Sequence, residues 1–120
     1  MRWSNTLQKT LFWLACATVA IGSLTPGDSL PPIGSNDKLL HLLGHGGLAF
    51  LGGFAYARRV WLLVPALAAF GALLEVLQLM VPNRSFDWLD MVANVSGVLL
   101  ATALVQAIQW FARRRAANIC

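Results

Sequence analysis

The chain has 120 residues, 58% of them hydrophobic and 12% charged, with mean hydropathy +0.64 and formal net charge +4. A soluble domain carries about 25% charged residues, so the composition excludes an ordinary soluble enzyme. It points to one integral membrane domain, residues 1–120, with length for about four spans. The positive charge does not read as a nucleic-acid surface, because the basic residues flank apolar runs, where they act as topology signals.

Residues 7–24 are the first expected span, with Arg2 and Lys9 at its start. A cleaved signal peptide is the competing reading, but the segment runs on into Ser23-Leu24-Thr25-Pro26 without a small-x-small site. Cys16 lies inside this run and Cys120 ends the chain, which gives neither a disulfide framework nor metal-type cysteine spacing. Residues 25–36, rich in proline, glycine and serine, read as a loop. Asn36 or Asp37 then caps the second span, 37–57. Its glycines (44, 46, 47, 52 and 53) suit close helix packing in lipid. Arg58 and Arg59 end it.

The third span, 60–81, is the most apolar stretch, and only Glu75 and Gln78 within it are strongly polar. They are three residues apart and share one helix face. Pro65 falls in about its first turn, where a missing N–H matters least. Residues 82–86 read as a tight turn, and 87–111 as the fourth span, with Asp87 as N-cap and Arg113, Arg114 and Arg115 as its stop.

A four-span zigzag puts Arg2, Lys9, Arg58, Arg59 and Arg113–Arg115 on one side, leaving Lys38 and Arg84 on the other. Cytoplasmic loops collect Lys and Arg, so the expected topology is multi-pass in the cytoplasmic (inner) membrane, both termini inside. All five acids (Asp28, Asp37, Glu75, Asp87 and Asp90) fall in the outer half.

Helix periodicity sorts the outer polar residues by depth. Counting from each helix start, His45, Glu75 and Asn94 reach a common deep level. His41, Gln78 and Asp90 form a shallower layer, and Asp37, Lys38, Arg84 and Asp87 rim the mouth. A polar pocket facing the outer side satisfies them all. Glu75, His41 and Asp90 are the candidates for proton transfer. Asp37, Lys38, Gln78, Arg84, Asp87 and Asn94 are the candidates for binding. Two outward helix N-termini, with Lys38 and Arg84, would favour an anion. Plainer roles compete at each position: caps for Asp37 and Asp87, an interhelical clamp for Glu75 and Gln78, an ion pair for Arg84, and packing for Asn94 and Gly97. His41 and His45, at i and i+4, can hold a metal with a carboxylate from Glu75 or Asp90. No HExxH-type pattern accompanies them, so they read as hydrogen-bonded pocket histidines, with neither metal nor cofactor expected.

The pattern Ser23-x-x-Pro26, Asp37-Lys38-x-x-His41, Glu75-x-x-Gln78, Pro82-x-Arg84-x-x-Asp87-x-x-Asp90 and Asn94-x-x-Gly97 resembles the VanZ-like membrane protein family over about residues 20–100. His45 and Asp28 are not carried over by it. The family is named for a small membrane protein linked to low-level teicoplanin resistance, an antibiotic-resistance role. Teicoplanin is a lipidated glycopeptide that acts outside the membrane on a lipid-linked wall precursor. The resemblance therefore implies action at the outer face of the cytoplasmic membrane, on cell-envelope lipid or lipidated glycopeptide.

The expected fold is an all-α, four-helix transmembrane bundle with membrane lipids as partners. Non-catalytic binding or modulation is the first functional reading. A membrane enzyme acting on a lipid-linked or phospholipid head group is the alternative. A small transporter is weakened by the inner half, where Thr18, Thr102 and Gln106 are nearly the only polar residues.

Overall fold

The computed structural model describes residues 4–26 and 37–119, with the side chain of Asp37 outside the described set. Arg2, Asp28, Asn36, Cys120 and the expected loop from residue 27 onward also lie outside the described residues. Four α-helices account for nearly all of the rest: α1 (Asn5–Leu24), α2 (Asp37–Ala55), α3 (Val60–Gln78) and α4 (Trp88–Ile119). No strand occurs among the described residues.

The ends of each helix follow from local chemistry. Ser4 caps α1, its hydroxyl accepting from the Leu7 N–H at 3.2 Å. One 3-10 turn, Ala57–Arg59, joins α2 to α3 almost without a loop. Pro65 stands in the second turn of α3, a little deeper than expected. That helix stops at Gln78, three residues early, because Pro82 and Asn83 redirect the chain. Asn83 has φ of 60° and the Arg84 N–H reaches the Val81 carbonyl at 3.3 Å. Proline followed by a left-handed residue is the pattern of a type II turn. Asp87 caps α4 as expected, its Oδ1 accepting from the Leu89 N–H at 2.9 Å.

The arginines at 113–115 do not stop α4, which runs on to Ile119. Arginine is a good helix former, and positive charge near a helix C-terminus offsets the macrodipole. At 1.5 Å per residue α4 is about 48 Å long, well beyond the ~30 Å of a bilayer core.

The helices run up and down, so that one end gathers the C-termini of α1 and α3 and the N-termini of α2 and α4. Lys38 reaches Asp87 there, and Gln78 reaches Ser23. At the opposite end the Trp13 indole donates to the Tyr56 hydroxyl at 2.9 Å, with Lys9 over the Tyr56 ring. The charges segregate accordingly. Lys9, Arg58, Arg59 and Arg113–Arg115 belong to one end, and every described acid belongs to the other.

α1, the segment Ala57–Gln78 and α4 are long and apolar enough to cross a membrane. α2 is not in that group. It carries Asp37, Lys38, two histidines and five glycines in 19 residues. It is instead the central helix, touching α1, α3 and α4, whereas α1 and α4 do not meet among the described residues. Three apolar helices thus pack around the helix that carries both histidines.

An apolar core around Phe12, Leu48, Leu67 and Val98 fills part of the interior. His45, Glu75, Gln78, Asp90, Asn94 and Thr102 are buried as well, while Trp13, Leu43, Trp61, Leu79 and Leu100 face outward. Large apolar surfaces over buried polar groups suit lipid as the solvent.

Glycine sets the closest contact, between α2 and α4. A Cβ added to Gly97 would fall onto the Leu42 carbonyl oxygen and 3.0 Å from the Gly46 nitrogen. Backbone meets backbone here, so no side chain can yield. Lower down, a Cβ on Gly53 would lie 2.9 Å from the Val105 side chain. Gly47, by contrast, has open space around it. Overpacking typically costs about 1–3 kcal/mol. Gly97→Ala should therefore lower the thermal unfolding midpoint of the detergent-solubilised protein, while Gly47→Ala leaves it unchanged or raised.

Candidate functional site

The polar end of the bundle holds a cavity of about 200 Å³, lined by Gly22 and Ser23 of α1, His41, Gly44 and His45 of α2, Gln78 of α3, and Arg84. A larger surface groove of about 460 Å³ runs along Thr6, Lys9, Trp13 and Leu14 at the other end. It has Lys9 as its only ionisable group and no convergent donors, so the smaller cavity is the candidate site.

Lys38 stands at the entrance to α2. Its ammonium donates to Asp87 Oδ2 at 2.6 Å and to Asp90 Oδ1 at 2.9 Å. One cation is thereby shared by two carboxylates of α4. The Lys38 hydrogen bond, followed by the Leu89 N–H, holds the Asp87 carboxyl below its ordinary value of 3.8. A lone cation at the mouth is thus not what Lys38 provides; its charge is already matched.

His41 lies one turn deeper, between α3 and α4. Its Nδ1 is 2.9 Å from Asn94 Oδ1 and 3.8 Å from Glu75 Oε1, and its Nε2 is 3.4 Å from Asp90 Oδ2. Glu75 is 1% exposed, and its Oε2 accepts from the Asp87 N–H at 3.4 Å. His41, Glu75 and Asp90 can each offer one ligand atom, all within 4.8 Å of one another, and they are the described residues that could hold a metal ion.

Gln78 and Arg84 tie α1 to this end. Gln78 Nε2 donates to the Ser23 carbonyl at 2.9 Å. Arg84 donates from Nε to the Thr25 carbonyl at 3.1 Å and from Nη2 to the Gly22 carbonyl at 3.0 Å. Those carbonyls are the unsatisfied end of a helix, where a cation is favoured. Arg84 has no carboxylate partner among the described residues, so its charge is available to the cavity it lines.

The structure gathers Lys38, His41, Glu75, Gln78, Arg84, Asp87, Asp90 and Asn94 at one end, and Asp37 opens α2 beside them. The layering differs from the expected one in a single respect. Asn94 and Glu75 meet His41, whereas His45 lies deeper against Gly71 and Phe70. Equal helix starts would put Asn94 opposite His45. The Gly46–Gly97 contact slides α2 relative to α4 and places His41 there instead. Sequence reasoning did not single out Gly71. A Cβ at Gly71 would come within 3.0 Å of His45 Nε2 and 3.1 Å of Asn94 Nδ2, so this glycine makes the room that two polar side chains occupy. A glycine one turn before Glu75 in an apolar run was the available signal.

The VanZ/LLP1 family model matches residues 3–113. The chain belongs to the VanZ/LLP1 family. Its match extends well beyond the motif residues, into both outer helices. Searches among curated proteins and among solved structures found no match. In this VanZ/LLP1 chain the residues that carried the resemblance, from Lys38 to Gly97, fall into one cluster rather than along separate surfaces.

The Lys38 network has a testable pH signature. A depressed carboxyl contributes stability that is full above its unfolded value and is lost as pH falls through the folded one. Acid unfolding of the solubilised protein should therefore include a loss beginning below about pH 4. Lys38→Gln should lower stability at neutral pH and flatten that acid limb, as followed by helicity against pH.

Proposed function

We propose that this VanZ/LLP1 protein acts at the outer face of the cytoplasmic membrane, binding the anionic head group of an envelope lipid in the cavity at its polar end. The observation that carries the reading is Arg84, a guanidinium with no acidic partner among the described residues, lining a cavity that opens beside His41 and Gln78. A volume of about 200 Å³ fits a phosphate-sized group. It is below the ~300–1,000 Å³ of pockets that enclose drug-sized ligands, so a lipidated glycopeptide would not be enclosed. A teicoplanin-resistance role is better supported through lipid than through capture of the antibiotic.

The orientation rests on charge. Lys9, Arg58, Arg59 and Arg113–Arg115 share one end, which the distribution of bases in membrane proteins assigns to the cytoplasm. Both termini are then inside, and the cavity faces out. Ser85→Cys in the exposed turn should be labelled by an impermeant maleimide added outside intact cells. Labelling that requires broken cells would reverse the orientation.

A second reading is acid–base catalysis on the same head group, favoured by the convergence of His41, Glu75 and Asp90 within 4.8 Å. Lipid and lipid-precursor mass spectrometry separates the two. Phosphate-bearing lipid should co-purify with the wild type and fall several-fold with Arg84→Gln. Catalysis adds a lipid species that changes in cells with wild type and not with Glu75→Gln. Unaltered lipid profiles, together with equal co-purification by wild type and Arg84→Gln, would remove both readings.

A further inference from the structure

We infer that His41, Glu75 and Asp90 form a site for one divalent transition-metal ion, set beside Arg84 so that ion and guanidinium together take a phosphate group. The phosphate half of this inference rests on the head-group reading; the metal half stands on the geometry of the three side chains.

Ligand spacing is the first argument. His41 Nε2 and Asp90 Oδ2 lie 3.4 Å apart. A charge-assisted hydrogen bond would be shorter, about 2.7–2.9 Å. Two ligands at ~2.1 Å from a tetrahedral ion stand about 3.4 Å from one another. Glu75 lies within 4.8 Å of both, so its carboxylate would swing in by up to about 1.4 Å to close the tetrahedral set.

Support from behind is the second. A metal-bound imidazole usually has its other nitrogen held by a carbonyl or carboxylate, and bound carboxylates are held likewise. Each of the three residues has such a hold. His41 Nδ1 meets Asn94 Oδ1 at 2.9 Å, which directs Nε2 towards Asp90. Asp90 Oδ1 accepts from Lys38 at 2.9 Å, leaving Oδ2 inward. Glu75 Oε2 faces the Asp87 N–H at 3.4 Å, and its Oε1 lies 3.8 Å from His41 Nδ1.

The third argument is independent of the cluster. His45 is 2% exposed, and its Nε2, against Gly71, has no hydrogen-bond partner among the described residues. It lines the cavity that His41 also lines, its ring nearly parallel to that of His41 with centroids 6.5 Å apart. A buried nitrogen without a partner is costly, and a water on an ion at the adjoining cluster would satisfy it.

The donor set also indicates which ion it would take. One imidazole with two carboxylates suits Zn²⁺ or Mn²⁺ better than Ca²⁺, which takes 6–8 oxygens.

The test uses the full chain, purified in detergent and stripped with EDTA. Titration with MnCl₂ followed by electron paramagnetic resonance should show saturable binding of about one ion per chain, competed by Zn²⁺. Spin-echo modulation should show a ¹⁴N coupling from a bound imidazole. His41→Gln should abolish that coupling, and His41→Gln and Asp90→Asn should each weaken binding at least about tenfold, with helicity and elution volume as for the wild type. Absence of saturable binding by folded wild type overturns the metal site. So does binding that both substitutions leave unchanged. Lipid co-purification that survives EDTA but depends on Arg84 would overturn the metal's part in phosphate binding and uphold the head-group reading. Metal binding with no Arg84-dependent lipid would overturn that reading and uphold the ion site.

Discussion

The approach of Gly46 to Gly97 is the constraint on which the polar end depends. Backbone atoms of α2 and α4 touch there, so the two helices have little freedom to slide. A shift of one residue would move α2 by about 1.5 Å along its axis and turn its side chains by about 100°. Lys38 would then leave Asp90, and His41 would leave Asn94. These two partnerships are thus held in register by the absence of two methyl groups. Lower along the same interface, Gly53 against Val105 repeats the fit. The seam is long enough to fix the angle of the helices as well as their height.

Solvent makes that register matter. In water a misplaced carboxylate can turn outward. In this bundle Glu75 and Asp90 are buried, and neither carboxylate can turn outward. Low dielectric strengthens each pairing that is made and penalises each that is missed. The chain answers with a short list of neutralising groups, all from its second half except Lys38 and His41. α2 therefore brings Lys38, His41 and His45 to the polar end, and the other three helices pack around it.

Much of this was legible in the residues. Apolar runs of bilayer length gave the helices, and the one-sided bases and acids gave the two ends. Stripes at i, i+3 and i+7 put Asp87, Asp90 and Asn94 on one face of α4. What one chain cannot disclose is how helices stand relative to one another. Counting depth from each cap treated Asp37 and Asp87 as level, and so paired Asn94 with His45 in place of His41. The correction comes from a glycine contact that periodicity does not register. The length of α4 was hidden for another reason. Arginines mark a membrane boundary, and a boundary in the solvent is not an end of hydrogen bonding within the helix. The partners of Arg84 and Gln78 were equally hidden, since main-chain carbonyls leave no trace in side-chain patterns.

Those carbonyls have an evolutionary corollary. Gln78 and Arg84 grip α1 through oxygens that every amino acid possesses at Gly22, Ser23 and Thr25. Substitutions along that stretch can accumulate without loosening the grip, as long as the helix ends where it does. The two grasping side chains have no such latitude, because neither a shorter amide nor a lysine reproduces their reach and fork. Constraint is therefore distributed unequally across one contact: it fixes the identity of the two holders, and asks of the held segment only that its helix end in place.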